Sequence, residues 1–464
     1  MEVLADCSPQ PTFRDPAGSV ELRPDGAFRS VHPDHASGIL AFLATPLSTR
    51  LVAEGLIVAS EVVQPAGDGQ PLVLRHPRIS FASYPAEWTP ALWFAAAELT
   101  LRLCSELLQE GWMLKDATPL NILFQGARPI FVDILSIQRA DLSCPIWYAY
   151  GQFVRTFLLP MLAHSQLGWP LQSALMRRDG FEPEEVYTAL PWSRRLTQPA
   201  LTAVTLPKLL ARKHAGQANS MTRRTVNDPE LTRHVIGNLL SSLRAAMRKT
   251  MPARRSSVWS DYAETASHYS KGDLAAKQRF ITSVLIQSAP KRVLDIGCNT
   301  GAYSKIAADV GAEVISIDAD SAAVDRLCVE LRGGDRNILP LCVDFAFPTP
   351  STGWENSENV SFLRRAEGHF DTVLILAVIH HLLLGSQIPL RYIASLCSRM
   401  TTKNLIAEWV PLTDPKFVEI LRGREALYQH LSEASFLAAF SQHFHLAQKT
   451  ELASGRILLH MIKR

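Results

Sequence analysis

The chain has 464 residues, more than one typical domain holds, so we expect two or three hydrophobic cores. Apolar residues make up 47% and charged residues 20%, as in soluble globular proteins, and a net charge of +3 argues neither for nor against a nucleic-acid partner. The 7 cysteines are scattered and form no C-x-x-C pair. This pattern excludes a disulfide framework and a zinc site, and it predicts a cytoplasmic protein.

No targeting or membrane-spanning segment is predicted. The sequence that starts at Met1 lacks the basic and apolar regions of a signal peptide. An uncharged run from Thr156 to Met176 is about long enough to span a bilayer. Because it contains Pro160, His164 and Pro170, it is more typical of buried helices joined by a turn.

The first 205 residues are predicted to form an α+β domain. Residues 1–90 are rich in proline, glycine and short β-like runs. From Thr89 to Glu110 the apolar residues recur at helical spacing, and Gly111 ends that helix. We expect a mostly helical stretch from there to about residue 205.

A polar loop in this domain has the residue order of a kinase catalytic loop. Asp116 and Asn121 are five residues apart, and Asp133 follows a β-like run. Residues 70–160 therefore resemble the kinase-like fold, and the resemblance implies a catalytic Asp116 with Asn121 and Asp133 as metal ligands. In the structural alternative, Asp116 and Asn121 satisfy backbone groups of a turn.

The same region departs from the kinase pattern in ways that matter for catalysis. Lys115 stands where an arginine usually precedes the catalytic aspartate, and Ile134 follows Asp133 where phenylalanine is usual. No lysine occurs before Lys115, so the phosphate-binding lysine is missing, although an arginine such as Arg75 could replace it. We therefore predict a degenerate kinase-like domain used for binding or scaffolding, with phosphoryl transfer as the alternative.

Residues 206–257 differ from both flanks in charge. They carry about eleven lysine and arginine residues against Asp228 and Glu230. We interpret the segment as a basic helical connector between domains. The alternative is a surface for an anionic partner or a membrane face.

From residue 258 to 464 helices and short apolar strands alternate, which predicts a doubly wound α/β domain with a mostly parallel, Rossmann-like sheet. A β-like run from Arg292 enters a glycine-rich turn that ends at Gly301, and a helix opens at Ala302. The run from Glu313 predicts the next strand, which ends in Asp318, where a ribose diol would donate hydrogen bonds to the carboxylate.

The glycine turn favours a methyl donor over a dinucleotide. The dinucleotide fingerprint requires a second glycine at position 299, where this sequence has Asn299. S-adenosylmethionine has no pyrophosphate, so an acid at the strand end, Asp295, is tolerated. Such an acid lies near the positively charged methionine part of the donor.

With these motifs, residues 258–464 resemble the class I S-adenosylmethionine-dependent methyltransferases. The D-x-G-x-x-x-G motif falls on Asp295, Gly297 and Gly301. The resemblance implies S-adenosyl-L-methionine as cofactor and Tyr262, Tyr269 and Lys277 on an entry helix that covers it. The residues implied to bind the donor are Asp295, Gly297, Cys298, Asn299, Gly301, Asp318, Ala319, Asp344, Phe345 and Ala377.

Two adjacent histidines are the candidate catalytic residues. His380 and His381 follow an apolar run that resembles the fourth strand of this fold, and the ends of such strands lie beside the donor. An oxygen acceptor must lose its proton near the transition state, which suits histidine. At most one of the two should face the cleft, because side chains alternate along a strand. The alternative is that both are structural; no metal site is predicted.

Two further segments complete this domain. Glu408 and Trp409 end the next apolar strand and are candidates for lining the acceptor pocket. The run from Arg456 to Met461 is interpreted as a closing strand that belongs to the core.

The pairing of a kinase-like loop with a methyltransferase resembles a bacterial group that includes the rhizobial nodulation protein NoeA. The resemblance lies in Leu114 to Asp133, the glycine motif with Asn299, and Ile379 to Gly385. It implies a host-specific nodulation role. We predict a methyltransferase acting on a small-molecule or oligosaccharide acceptor, with a phosphoryl-transferring or non-enzymatic scaffold protein as alternatives. The missing N-P-P-Y tetrapeptide after the fourth strand argues against nucleic acid as the substrate.

Overall fold

A computed structural model describes residues 12–67, 69–214, 228–252, 270–421 and 423–464 of the chain. These residues divide into two compact units. The first comprises residues 12–124, 128–252 and 352–359, and the second comprises residues 125–127, 270–351 and 360–464.

The first unit is α+β, as predicted. Its largest sheet has four antiparallel strands in the order β1-β2-β4-β3, and two pairs of short strands follow in sequence. Its strands are β1 Gly18–Arg23, β2 Gly26–Val31, β3 Glu61–Gln64, β4 Leu72–His76, β5 Trp112–Leu114, β6 Ile122–Gln125, β7 Arg128–Phe131 and β8 Ile137–Arg139.

A long core helix of this unit is α3, Pro90–Gln109, preceded by α1 Pro33–Leu43 and α2 Pro46–Ala53. The Thr89 hydroxyl accepts a hydrogen bond from the Leu92 N–H and caps the helix, and Pro90 fits the first turn because its missing N–H is not needed there. The predicted helix from Thr89 to Glu110 is confirmed.

The prediction of a mostly helical stretch after Gly111 is wrong for residues 112–139 and correct from residue 150 onward. Short apolar strands of three or four residues give too few periods for their type to be read from spacing. The helices that follow are α4 Tyr150–Phe153, α5 Leu159–Leu167, α6 Pro183–Ala189, α7 Trp192–Arg195, α8 Leu206–His214 and α9 Pro229–Thr250.

Helix α9 lies within the basic segment and packs in the first unit. It buries Ile236, Leu240, Leu243 and Met247 on one face. Arg244 also lies 3.5 Å from a carboxylate oxygen of Glu98 on α3. The first unit therefore continues beyond residue 205, because α9 packs its apolar face within this unit.

The second unit contains a seven-stranded sheet in the order β11-β10-β9-β12-β13-β15-β14. Strands β11 to β13 in that order are parallel, and β15 runs antiparallel between β13 and β14. This confirms the predicted mostly parallel, doubly wound sheet. Its strands are β9 Arg292–Ile296, β10 Glu313–Asp318, β11 Ile338–Cys342, β12 Phe370–Ile375, β13 Thr401–Trp409, β14 Phe444–Glu451 and β15 Ile457–Lys463.

Helices connect these strands and cover the sheet. They are α10 Lys271–Ser288, α11 Ala302–Asp309, α12 Ser321–Glu330, α13 Phe362–Ala366, α14 Ile379–Leu384, α15 Leu390–Met400, α16 Pro415–Leu421, α17 Glu425–Tyr428 and α18 Glu433–Ser441. The parallel strands bring their carboxyl ends to one edge of the sheet, where ligands bind in open α/β folds.

Within the described ranges, no individual helix has the length and apolar character needed to cross a bilayer. By length and composition alone, α1 and α2 together would suffice, but they are bent by 74° at their junction. The uncharged run from Thr156 to Met176 forms a π-helical turn, helix α5 and a 3-10 segment, as predicted for buried helices joined by a turn.

Candidate active site

The glycine-rich turn between β9 and α11 is fixed to the neighbouring strand β10. The backbone N–H groups of Gly297 and Cys298 both donate to the carbonyl of Ile317, at 2.8 and 3.0 Å. The Gly301 N–H then donates to the carbonyl of Cys298 at 2.8 Å, which closes the turn. The turn is thus fixed by backbone hydrogen bonds.

Two glycines are required by this geometry. Gly297 has a φ of +72°, and a Cβ added there would lie 2.2 Å from Cγ2 of Val378. Gly301 has a φ of +75°, and a Cβ would lie 2.7 Å from the Leu327 side chain. The close approach of Val378 to Gly297 also brings the segment after β12 against the glycine turn.

Asp295 is a buried carboxylate held by a hydroxyl. Its Oδ2 accepts a hydrogen bond of 2.6 Å from Ser304, whose own hydroxyl accepts one of 2.8 Å from Ser316. Burial, together with the nearby carboxylate of Asp318, raises the pKa of the Asp295 carboxyl to about 6, against the opposing effects of the Ser304 hydrogen bond and the Lys277 charge. A cationic ligand would favour the ionised form.

Asp318 ends β10, as predicted, and faces the same turn. Its Oδ2 accepts the N–H of Asn299 and its Oδ1 the N–H of Asp320, both at 2.9 Å. Burial raises the pKa of this carboxyl as well. Asn299 has a φ of +51°, a left-handed conformation that asparagine tolerates better than most residues.

The predicted adenine side adjoins Asp318. The N–H of Val343 donates to the Asp318 carbonyl at 3.0 Å, which places the segment after β11 beside the end of β10. Phe345 is buried, whereas Asp344 is exposed and accepts the Ala346 N–H at 2.8 Å. Ala319 is exposed, and its carbonyl accepts from the Cys342 thiol at 3.8 Å.

The two histidines do not stand at the end of a strand, which corrects the sequence prediction. Strand β12 ends at Ile375, and His380 and His381 lie in helix α14 after Ala377, whose φ is +55°. The alternation argument therefore does not apply to them. A strand and a short buried helix cannot be separated by periodicity in an apolar run of this length.

His380 is the more buried of the pair. It is 5% exposed, and its Nδ1 has no hydrogen-bond partner among the described residues. Its ring lies 4.2 Å from that of His381 and stacks on Phe417 at 6.4 Å, measured between centroids. Burial, followed by the charges of His381, Arg456 and Lys277, holds the His380 pKa well below its usual value, so the imidazole is neutral at neutral pH.

A buried network of charged residues lies at the same edge of the sheet. The Lys277 ammonium is 2.6 Å from Oε2 of Glu408, and both side chains are buried. Arg456 contacts Oε1 of Glu408 at 3.5 Å and Oδ2 of Asp414 at 2.8 Å. Lys277 also lies 5.1 Å from the ring centroid of Tyr303 in α11.

Of these residues, Lys277 and Glu408 are predicted from the sequence, whereas Asp414 is not, and the Arg456 segment is predicted to belong to the core. The available signal was an ionisable residue at the end of an otherwise apolar strand, since such residues are rarely buried without a partner or a function. Tyr262 and Tyr269, named with Lys277, lie outside the described residues.

The segment of the first unit that was predicted to be kinase-like has a different electrostatic arrangement. Arg29 on β2 is buried, and its Nη1 lies 3.0 Å from Oδ1 of Asp133. Arg75, considered for the missing cation, is half-exposed and lies 3.8 Å from Glu61. The cation that faces Asp133 is therefore Arg29, which sequence spacing could not identify.

Asp116 and Asn121 occupy the segment before Asp133. Asp116 is partly buried, which raises the pKa of its carboxyl. Asn121 Nδ2 is buried with no hydrogen-bond partner among the described residues, and the Asn121 carbonyl accepts the Val132 N–H at 2.9 Å. This backbone hydrogen bond brings the segment of Asp116 and Asn121 next to the segment of Asp133.

The carboxyl edge of the second unit fits S-adenosyl-L-methionine. Its turn presents two carboxylates, Asp295 and Asp318, which would attract a ligand with a sulfonium and an ammonium group. The Asp318 carboxylate would accept hydrogen bonds from a ribose diol. His380 follows two residues after Val378, the residue that packs against this turn.

Comparison with known proteins agrees with this geometry. The methyltransferase-domain family matches residues 267–454. Nodulation protein NoeA of Rhizobium meliloti (strain 1021) is 30% identical over 478 residues, covering 99% of this chain and 98% of NoeA.

Two solved methyltransferase structures are also similar to this chain. N-methyltransferase NodS from Bradyrhizobium japonicum WM9 is 14% identical, covering 42% of this chain and 97% of NodS, with a TM-score of 0.31. Magnesium protoporphyrin IX methyltransferase from Synechocystis PCC 6803, with bound S-adenosylhomocysteine, is 19% identical, covering 42% and 86%, with a TM-score of 0.29.

Proposed function

Since the chain belongs to the family of the nodulation protein NoeA, and its second unit is an S-adenosylmethionine-dependent methyltransferase domain, we propose that it methylates a small-molecule or glycan-type acceptor. The observation that carries the proposal is the contact of Val378 with Gly297. Through it, the glycine turn that would hold the donor adjoins the helix that contains His380.

The donor site is proposed to comprise the residues named from the sequence. Asp295 would face the cationic part of the donor, and Asp318 would bind the ribose. S-adenosyl-L-methionine supplies a methyl group on a sulfonium, which is already a good leaving group. The protein therefore has mainly to align the acceptor and to exclude water from the cleft.

His380 is proposed as the acceptor-side residue, with His381 beside it. A neutral imidazole with an unpartnered Nδ1 can hold an acceptor hydroxyl through a hydrogen bond and receive its proton. Its low pKa makes it a weak base, so its contribution is larger in orienting the hydroxyl than in driving proton transfer. His381 has a pKa lowered by burial, and it remains the second candidate.

A host-specific nodulation role is proposed from the relationship to NoeA. For the first unit we propose a kinase-like architecture that serves binding or scaffolding. The Arg29–Asp133 ion pair supports this, because it engages the carboxylate that would otherwise hold a metal ion. Titration with magnesium and ATP tests it; binding that is lost in Asp133→Ala would instead establish a nucleotide site.

Calorimetric titration of the purified full chain with S-adenosylmethionine and S-adenosylhomocysteine is the experiment that tests the methyltransferase proposal. We expect binding in the micromolar range that is lost in Asp295→Ala. Binding would justify a screen of methyl acceptors that begins with oligosaccharides. A folded chain that binds neither compound would overturn the proposal and favour a scaffold role.

A further inference from the structure

Arg456 is among the largest fully buried side chains of the described residues, with 1% of its surface exposed. It immediately precedes β15, whose first residue, Ile457, pairs with Trp409 at the end of β13. A guanidinium in this position has lost its hydration and requires anionic partners. Two carboxylates from different segments of the chain supply them.

The first arm of this arrangement leads to the donor side. Glu408 contacts Arg456 through one carboxylate oxygen and Lys277 through the other. Lys277 belongs to α10, and its ammonium faces the ring of Tyr303, the second residue of helix α11, which follows the donor turn. Through Glu408, Arg456 is therefore connected to α10, which precedes β9, and to α11, which follows the turn.

The second arm leads to the candidate catalytic histidine. Asp414 binds the Arg456 Nε through Oδ2 and the Lys416 N–H through Oδ1, at 2.8 and 2.9 Å, so it fixes the start of α16. Phe417 of that helix stacks on His380. Moving the start of α16 would therefore move the ring that covers His380.

We propose that Arg456 is a positioning residue for methyl transfer. It connects to the donor side through Glu408, and through Asp414 it fixes helix α16, whose Phe417 covers His380. Arginine suits this task because its planar guanidinium presents donors in several fixed directions, whereas lysine offers a single charge on a flexible stem. The catalytic role of Arg456 in this inference rests on the proposed function. Its effects on donor-site affinity and on the His380 titration can be measured without a methyl acceptor.

The test compares Arg456→Lys with wild type in the full chain. The variant keeps the positive charge and removes the planar guanidinium, so a change in donor affinity or in the His380 titration reports the loss of positioning. We expect S-adenosylhomocysteine to bind roughly tenfold more weakly by calorimetry. We also expect the pKa of His380, followed by NMR with labelled histidine, to rise toward the ordinary histidine value as its cover loosens. The charged or titratable groups near His380 are His381, Arg456 and Lys277, and Lys416 and Glu419 of α16 lie near His381.

Lys463→Met is the matched control, because Lys463 lies at the other end of β15 and donates to the carbonyls of Ser398 and Thr401. It should reduce stability while leaving both readouts unchanged. If Arg456→Lys fails to fold, Asp414→Asn breaks the second arm alone and should alter the His380 titration but not the affinity for S-adenosylhomocysteine.

Three outcomes separate the possibilities. Unchanged affinity and an unchanged His380 titration in folded Arg456→Lys would overturn the positioning role, as would an unchanged titration in Asp414→Asn. Wild-type protein that binds no S-adenosylhomocysteine would overturn the proposed donor site. In that case the His380 titration alone would still decide whether Arg456 positions the histidine cover.

Discussion

The glycine turn of the second unit and the segment from Asp116 to Asp133 in the first unit both place aspartates at or just after the end of a strand, but the surroundings of the carboxylates differ. Asp295 and Asp318 accept hydrogen bonds from a serine hydroxyl and from backbone N–H groups. Asp133 instead forms an ion pair with Arg29, and Lys115 forms another with Asp15.

This difference indicates which unit can receive a cationic ligand. A carboxylate held by neutral donors retains its charge for a ligand, whereas one paired with a guanidinium has already been neutralised by the protein. Burial raises the pKa of both Asp295 and Asp133, but only Asp133 has a guanidinium within ion-pair distance that opposes the shift. The same residue type at the end of a strand therefore serves a donor site in one unit and the fold in the other.

Gly297→Ala should have the largest effect, and it tests whether the glycine turn of the second unit binds the donor. The substitution places a Cβ in a left-handed backbone conformation and 2.2 Å from Val378. We expect calorimetric binding of S-adenosylmethionine to fall by more than about a hundredfold and the melting temperature to fall with it.

Gly311→Ala provides the matched control. Gly311 also has a positive φ, of +94°, but no atom lies within 4 Å of an added Cβ. It should lower stability through backbone strain alone and preserve binding. Equal binding losses in both variants would show that general destabilisation explains the result, and the close approach to Val378 would carry no functional meaning.

Arg29→Met sharpens the other side of the comparison. It leaves the largely buried Asp133 without its cation, so we expect the first unit to lose about 3 kcal/mol of stability in denaturant unfolding. Arg75→Met on the same sheet removes a half-exposed contact with Glu61 and should cost less than about 1 kcal/mol. Because Asp133 serves the fold in this view, the affinity for S-adenosylmethionine should not change.

Wild-type stability of Arg29→Met would contradict this prediction, because the ion pair would then contribute nothing to the stability of the fold. The loop would then be open to a metal ion, and the magnesium–ATP titration would decide whether phosphoryl transfer returns as a function of this unit.

The sequence was sufficient for the parts of the fold and site that depend on local pattern. The boundaries of β10 and the turn from Asp295 to Gly301 follow from apolar runs, glycines and a strand-ending acid. The helix Pro90–Gln109 was equally readable, because five turns of amphipathic spacing outweigh short-range ambiguity.

What the sequence could not give are contacts between residues far apart in the chain. Arg29 meets Asp133 across 104 positions, and Lys277 meets Glu408 across 131. His380 was placed at a strand end because the apolar run before it is compatible with either element. Partner choice and side-chain direction depend on tertiary packing, which single-sequence patterns do not encode.

The smallest effect we predict is a pH dependence of donor binding that arises from Asp295. Its pKa in the folded protein, about 6, is raised above the 3.8 of an aspartate in the unfolded chain. The stability that this carboxyl contributes is therefore fully present below pH 3.8 and is lost as the pH rises through about 6. A cationic donor requires the ionised form, so its affinity should weaken as the pH falls below about 6.

If donor binding returns the carboxyl to the ordinary pKa of an aspartate, affinity for S-adenosylmethionine should fall about tenfold between pH 7 and pH 5. Asp295→Asn should abolish this slope, while Asp309→Asn, an exposed substitution on α11, should leave it intact. A slope that persists in Asp295→Asn would assign the titration to another group. The contrast between the two loops would then rest on the Arg29 ion pair alone, since Asp295 would no longer be a carboxylate that retains its charge for the ligand.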